Sequence, residues 1–186
     1  YTATVTATDS VNSITQDITI SITNLNDNSP AFTSSASFSA AENQTAIGTV
    51  TATDADGNLN ELTFSVSGSE LAITSAGVLT FATAPDYETK SSYTATVTAT
   101  DSVNSITQDI NVSVTNLNDN YPILDTTGFP IAEGQTTLDI SPNVSDADGD
   151  EVIYSIGSSI FNISSSGVIS FVSGASFDYE DQSRYS

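Results

Sequence analysis

Two seven-residue stretches of the chain are dense in oxygen-bearing side chains. Asn116-Leu117-Asn118-Asp119-Asn120-Tyr121-Pro122 repeats, with one change, the string Asn24-Leu25-Asn26-Asp27-Asn28-Ser29-Pro30 that stands 92 residues earlier. Asp54-Ala55-Asp56-Gly57 recurs at the same spacing as Asp146-Ala147-Asp148-Gly149, and Asp86-Tyr87-Glu88 recurs as Asp178-Tyr179-Glu180. Ala41-Glu42-Asn43 has its counterpart in Ala132-Glu133-Gly134. Carboxylate, amide and carbonyl oxygens are hard donors, and a dense row of them suits a hard cation such as calcium. Any one of these motifs also reads as turn chemistry, because Asp and Asn hydrogen-bond their own backbone and tolerate turn geometry. Recurring together at a fixed period, they read better as a ligand set. The proline that ends each seven-residue stretch keeps the preceding backbone extended.

The remaining composition narrows the chemistry. Two basic residues, Lys90 and Arg184, face 23 acidic ones, for a net charge of −21. Neither nucleic acid nor an anionic membrane surface would find the cations it needs. No apolar run is long enough to span a bilayer, so no membrane insertion is expected. Histidine and cysteine are both absent, and with them the usual nucleophile–base pairs. Paired carboxylates could hydrolyse glycosides, but a sugar site wants aromatic platforms and there is no tryptophan. An enzyme is not expected. Without disulfides, marginal repeats need another cross-link, and bound cations would also offset the charge.

The elements that position the acidic motifs follow from the repeat. Tyr1–Ile18 is identical, residue for residue, to Tyr93–Ile110. The joints divide the chain into residues 1–28 (the last strands of one repeat), 29–120 (a complete repeat) and 121–186 (a repeat lacking its last two strands). The chain thus reads as a window on a longer array; strand exchange between chains is the alternative. In the complete repeat, period-two runs predict strands at 31–40, 47–53, 62–67, 71–74, 78–82, 93–100 and 106–116, with turns at Gly57, Gly68 and Gly77. Tyr93, Ala95, Val97 and Ala99 should share one face and Thr94, Thr96, Thr98 and Thr100 the other. Short strands with turn residues between them predict an all-β fold of tandem seven-stranded antiparallel Greek-key β-sandwiches.

The ordered set Ala-Glu-Asn, Asp-Ala-Asp-Gly, Asp-Tyr-Glu, Thr-Ala-Thr-Asp (98–101) and Asn-Leu-Asn-Asp-Asn-Tyr-Pro resembles tandem cadherin repeats of the kind found in large bacterial surface proteins. The resemblance covers essentially the whole chain. It implies calcium at each joint, held by both flanking repeats and the linker. At the joint near Asn118 it implies Glu42, Asp86 and Glu88 from the upper repeat. The linker would add the Leu117 carbonyl, the Asn118 side chain, the Asp119 carboxylate and the Asn120 carbonyl. Asp146, Asp148 and the Asp150 carbonyl would come from the lower repeat. At the joint near Asn26 it implies Asn26, Asp27, the Asn28 carbonyl, Asp54, Asp56, the Asn60 carbonyl and Asp101. One departure is Asn24 and Asn116, where the family's linker usually opens with Asp; losing that charge should weaken affinity without abolishing it.

Two functions are compatible with these residues. The first is a calcium-rigidified segment of a bacterial extracellular adhesin stalk or surface filament, with adjacent repeats or like chains as partners. The second is an adhesion module binding a glycan or a cell-surface protein, for which Tyr121, followed by Ile123 and Leu124, is the best foothold. Near-identity of successive copies favours the stalk.

Overall fold

The computed structural model describes residues 1–57, 62–125, 128–173 and 175. The chain divides into two compact units, Tyr1–Pro85 with Ser92–Val114, and Asp86–Ser91 with Thr115–Ser186.

The first unit begins with a hairpin of β1 (Thr2–Thr8) and β2 (Ser13–Thr19), registered from Thr2 opposite Thr19 to Thr8 opposite Ser13. The complete repeat follows. Its strands are β3 (Ala31–Phe32), β4 (Ser37–Ala41), β5 (Ala46–Thr49), β6 (Ala52–Thr53), β7 (Thr63–Val66), β8 (Leu71–Ile73), β9 (Val78–Phe81), β10 (Ser92–Thr100) and β11 (Ser105–Thr115). One sheet has the order β4-β11-β10-β7 and the other β5-β9-β8, while β3 pairs with β6. The chain passes repeatedly from one sheet to the other, as a Greek-key sandwich requires.

Alternation along β10 and β11 builds the core. Val97 and Ala99 on β10, and Ile110, Val112 and Val114 on β11, are buried, while Thr107, Asp109, Asn111 and Ser113 are exposed between them. Leu79 and Phe81 supply the opposite sheet's face, and the Phe81 ring meets Tyr93 edge-on at 5.0 Å, which ties the two sheets together. Period two is what makes one face apolar and one polar.

Two expected strands, 31–40 and 47–53, are each broken in the structure. The first changes sheets: Thr33 and Ser34 donate to the Thr51 carbonyl beside β6, and three residues later Asn111 donates to the Ala36 carbonyl, passing the chain to β11. In the second, the register with β9 shifts between Ala46 and Gly48, and the Val50 N–H turns to the Gly77 carbonyl at 2.8 Å. An edge strand that must serve two sheets bends at such irregularities.

The second unit contains β12 (Ile123–Leu124) paired with β13 (Val144–Ser145), and β14 (Phe161–Ile163) paired with β15 (Ile169–Phe171). Phe161 and Phe171 stack across the latter pair at 5.8 Å. The turn between them is built as in the first unit. Ser164 N–H donates to Val168 O and Gly167 N–H to Ser164 O, just as Thr74 and Gly77 do with Val78 and Thr74. Among the described residues, no helix is long and apolar enough to cross a membrane.

Candidate metal centre

Each Asp-Ala-Asp-Gly loop receives its linker in the same way. In the first unit Asn28 donates its backbone N–H to one Asp56 carboxylate oxygen at 2.8 Å and its Nδ2 to the other at 2.6 Å. In the second, Asn120 does the same to Asp148 at 2.7 and 2.8 Å, with Asp119 N–H adding a bond of 3.1 Å. Asn24 and Asn116 donate their Nδ2 to the backbone carbonyls of Asp56 and Asp148. Two copies that differ elsewhere in sequence thus arrive at one geometry.

In the first unit a third acidic residue closes the group. Asp101 directly follows β10 and is fully buried. Its Oδ1 accepts from the backbone N–H groups of Val103 and Asn104, at 2.8 and 2.6 Å, a turn closed by Ser102 at φ 77°. Asn26 Nδ2 reaches the Asp101 carbonyl and Asn104 Nδ2 the Asn28 carbonyl, so the linker lies along this turn as well as the Asp54–Gly57 loop. Asp54 is also buried, with Oδ1 accepting from Asp56 N–H at 2.8 Å. Three oxygens in these groups are buried without a hydrogen-bond partner: Asn26 Oδ1 and Asp54 Oδ2 in the first unit, and Asp146 Oδ1 in the second. Buried acceptors normally find partners, so orphaned oxygens beside carboxylates are positions open to a cation or an ordered water.

The carboxylates of the second unit converge in two overlapping triads, Glu88 with Asp119 and Asp148, and Asp146 with Asp148 and Asp150, the oxygens of each triad lying within 4.8 Å of one another. Two unit charges about 4 Å apart repel by about 4 kcal/mol at an effective dielectric of 20. Asn120 Nδ2 also donates to Glu88, at 3.3 Å. Asp86 starts the same turn, accepting from Thr89 N–H and Oγ1. Glu42, in the first unit, is buried, and the next residue, Asn43, donates its N–H to the carbonyl of Pro85, the residue before Asp86. Leu117 and Asn118 are exposed in their linker, as is Asp27 in the other. Asn60 lies outside the described residues.

Sequence reasoning included the linker asparagines only as oxygen donors. Their Nδ2 groups, pointed at Asp56 and Asp148, were missed, although an amide at both ends of each linker was a visible signal.

Hydrogen bonding governs the ionisation here. The Asn28 backbone N–H, then its side chain, hold the Asp56 carboxyl below its ordinary range, and the Asn120 side chain does so for Asp148. For Asp101 burial pushes upward, but the N–H groups of Asn104 and Val103 together outweigh it and the carboxyl is lowered. A folded pKa below the unfolded one gives stability that is complete above the ordinary carboxylate range and lost as pH falls through the lowered value. The stability of the parent chain relative to Asp101→Asn should therefore be largest above about pH 5 and shrink as the pH is lowered toward 2. Urea titrations of both proteins in chelator, at several pH values, check this. A difference independent of pH would mean that the bonds to Asp101 do not favour its charge.

The sheet orders β4-β11-β10-β7 and β5-β9-β8 of the first unit, with a linker docked on an Asp-Ala-Asp-Gly loop in each unit, are those of a cadherin-like repeat fold. Solved structures agree. Over 94% of this chain, it superposes on protocadherin gammaB7 EC3–6, described as a cis-dimer structure, with a TM-score of 0.71 at 20% identity. Protocadherin gamma B2 extracellular cadherin domains 3–6 gives 0.65 at 21% identity over 86% of the chain. Mouse cadherin-23 EC22–24 gives 0.65 at 23% over 91%, and the chain covers 62% of that structure. The chain spans about half of the two protocadherin structures, 50% and 46% of their lengths. No protein-family model matches the sequence, and no curated protein does.

Proposed function

We propose that this chain is a calcium-rigidified structural segment of an extracellular adhesin stalk or surface filament of bacterial type. Its boundaries would be those of the repeats, 1–28, 29–120 and 121–186. The observation that carries the reading is the set of buried oxygens left without partners, Asn26 Oδ1 in a linker and Asp54 Oδ2 and Asp146 Oδ1 in two loops that hold their linkers by the same bonds. Calcium takes six to eight oxygens and needs no protein cation beside it, which suits a chain of net charge −21.

The residues divide the work. In the first unit Asp54, Asp56, Asp101 and the Asn26 side-chain oxygen would hold the ion, and Asn28 orients Asp56. In the second, Asp146, Asp148, Asp119 and Glu88 would hold it, with Asn118 and Asp86 completing the set that the resemblance implies for this unit. When bound, calcium supplies the positive charge that lets these carboxylates stay close. The consequence is mechanical: adjacent repeats become stiffly joined, and the sandwiches stay folded without the ion because their cores are apolar. Catalysis plays no part in this reading.

Calcium titration by calorimetry, with small-angle scattering in calcium and in chelator, tests it. Several ions per joint and a longer, stiffer particle are expected. Extracellular modules of this chemistry bind at about 10⁻⁴–10⁻³ M. Absence of both binding and shape change would return the acidic motifs to turn chemistry.

A further inference from the structure

The linker asparagines make contacts that coordination of a cation does not require. At each linker's start an Nδ2 faces a backbone carbonyl: Asn24 to Asp56 O at 2.6 Å, and Asn116 to Asp148 O at 2.9 Å. At each linker's end a second Nδ2 faces the carboxylate of that same aspartate, Asn28 to Asp56 and Asn120 to Asp148. All four groups act as donors. Aspartate has the same size and shape but no N–H, and turned toward a carbonyl or carboxylate it would repel. Bonds to an ionised carboxylate are also the stronger kind.

We propose that these four amides are a latch that works without metal, holding each linker on its Asp-Ala-Asp-Gly loop by gripping one aspartate at its carbonyl and at its carboxylate. The latch keeps the buried oxygens of Asn26, Asp54 and Asp146 in place before any ion arrives. The chelated chain would then have a docked, ion-ready linker, so that cation binding completes an arrangement already present. The latch is a property of the chain alone; only its use as a preformed calcium site rests on the function proposed above.

Amide hydrogen exchange of the full chain in chelator tests this, comparing the parent with an Asn24→Asp, Asn116→Asp pair. The backbone amides of Asn28, Asp119 and Asn120, which bond the two aspartates, should exchange at least about tenfold faster in the variant. Amides in β10 and β11 should be unchanged. Millimolar calcium should restore linker protection, because Asp at 24 and 116 still offers oxygens. Equal exchange of the two chains in chelator overturns the latch. Fast linker exchange that persists in the variant with calcium shown bound overturns the ion-ready part of the proposal, since the bound cation would then not have completed the docked arrangement. If the aspartate pair loses core protection, an Asn28→Ala, Asn120→Ala pair gives the same comparison without added charge. If calcium affects neither chain, the calcium reading fails, and the chelator comparison alone still decides the latch.

Discussion

Replacing Asp54 by alanine should weaken calcium binding at the first unit's proposed site about 100-fold, while leaving the calcium-free protein nearly as stable as before. The two halves of this expectation have one cause. Asp54 is 9% exposed and its Oδ2 has no partner, so in chelator a buried acceptor is left unsatisfied at a cost that alanine removes. Alanine also loses the bond from Asp56 N–H, worth about 1 kcal/mol, and the two changes largely offset. With calcium present the balance reverses. At an ion concentration about 100 times its Kd, binding to the folded state alone adds about 2.7 kcal/mol, and the variant forfeits that share. Calorimetry and thermal melts in calcium and in chelator measure both quantities. Unaltered calcium affinity in Asp54→Ala would reduce this residue to a turn former.

Gly77→Ala is expected to destabilise the first unit by about 3 kcal/mol or more, although it adds only a methyl group. Gly77 sits at φ +86°, which costs an L-residue about 1–2 kcal/mol. A Cβ there would also stand 2.2 Å from the Val50 carbonyl oxygen and 3.3 Å from the Phe64 ring. The neighbouring backbone cannot give way easily, because Val50 N–H is bonded to the Gly77 carbonyl and Val50 is itself buried. Gly68→Ala is the matched comparison: its φ is +80° and nothing lies within 4 Å of the added carbon. It should cost only the backbone term. Urea unfolding of both variants separates torsion from close approach, and equal losses would show that the Val50 contact yields freely.

Much of the fold is legible in the sequence because its signals are local. Alternation in Tyr93–Thr100 assigns each side chain to a face, and the structure buries Val97 and Ala99 while it leaves Thr94 exposed and Thr96, Thr98 and Thr100 half-buried. Glycine marks the turns at 57, 68 and 77 because each needs a positive φ. The recurrence of whole motifs at 92 residues groups the acidic residues with no knowledge of distance.

What the sequence alone determined is therefore the β-class, the 92-residue recurrence and which residues carry side-chain oxygens. Those depend on residue type, on period two and on spacing along the chain. Only the tertiary structure decided where the strands break, because residues 31–40 and 47–53 bend to serve two sheets whose partners lie far away in sequence. It alone separated Gly77 from Gly68, which look alike until Val50 is brought beside one of them. It also decided which way the linker amides point. An asparagine offers a donor and an acceptor on one small group. Whether Asn24 presents Oδ1 to an ion or Nδ2 to the Asp56 carbonyl depends on what stands opposite, and a residue 32 positions away supplies that partner.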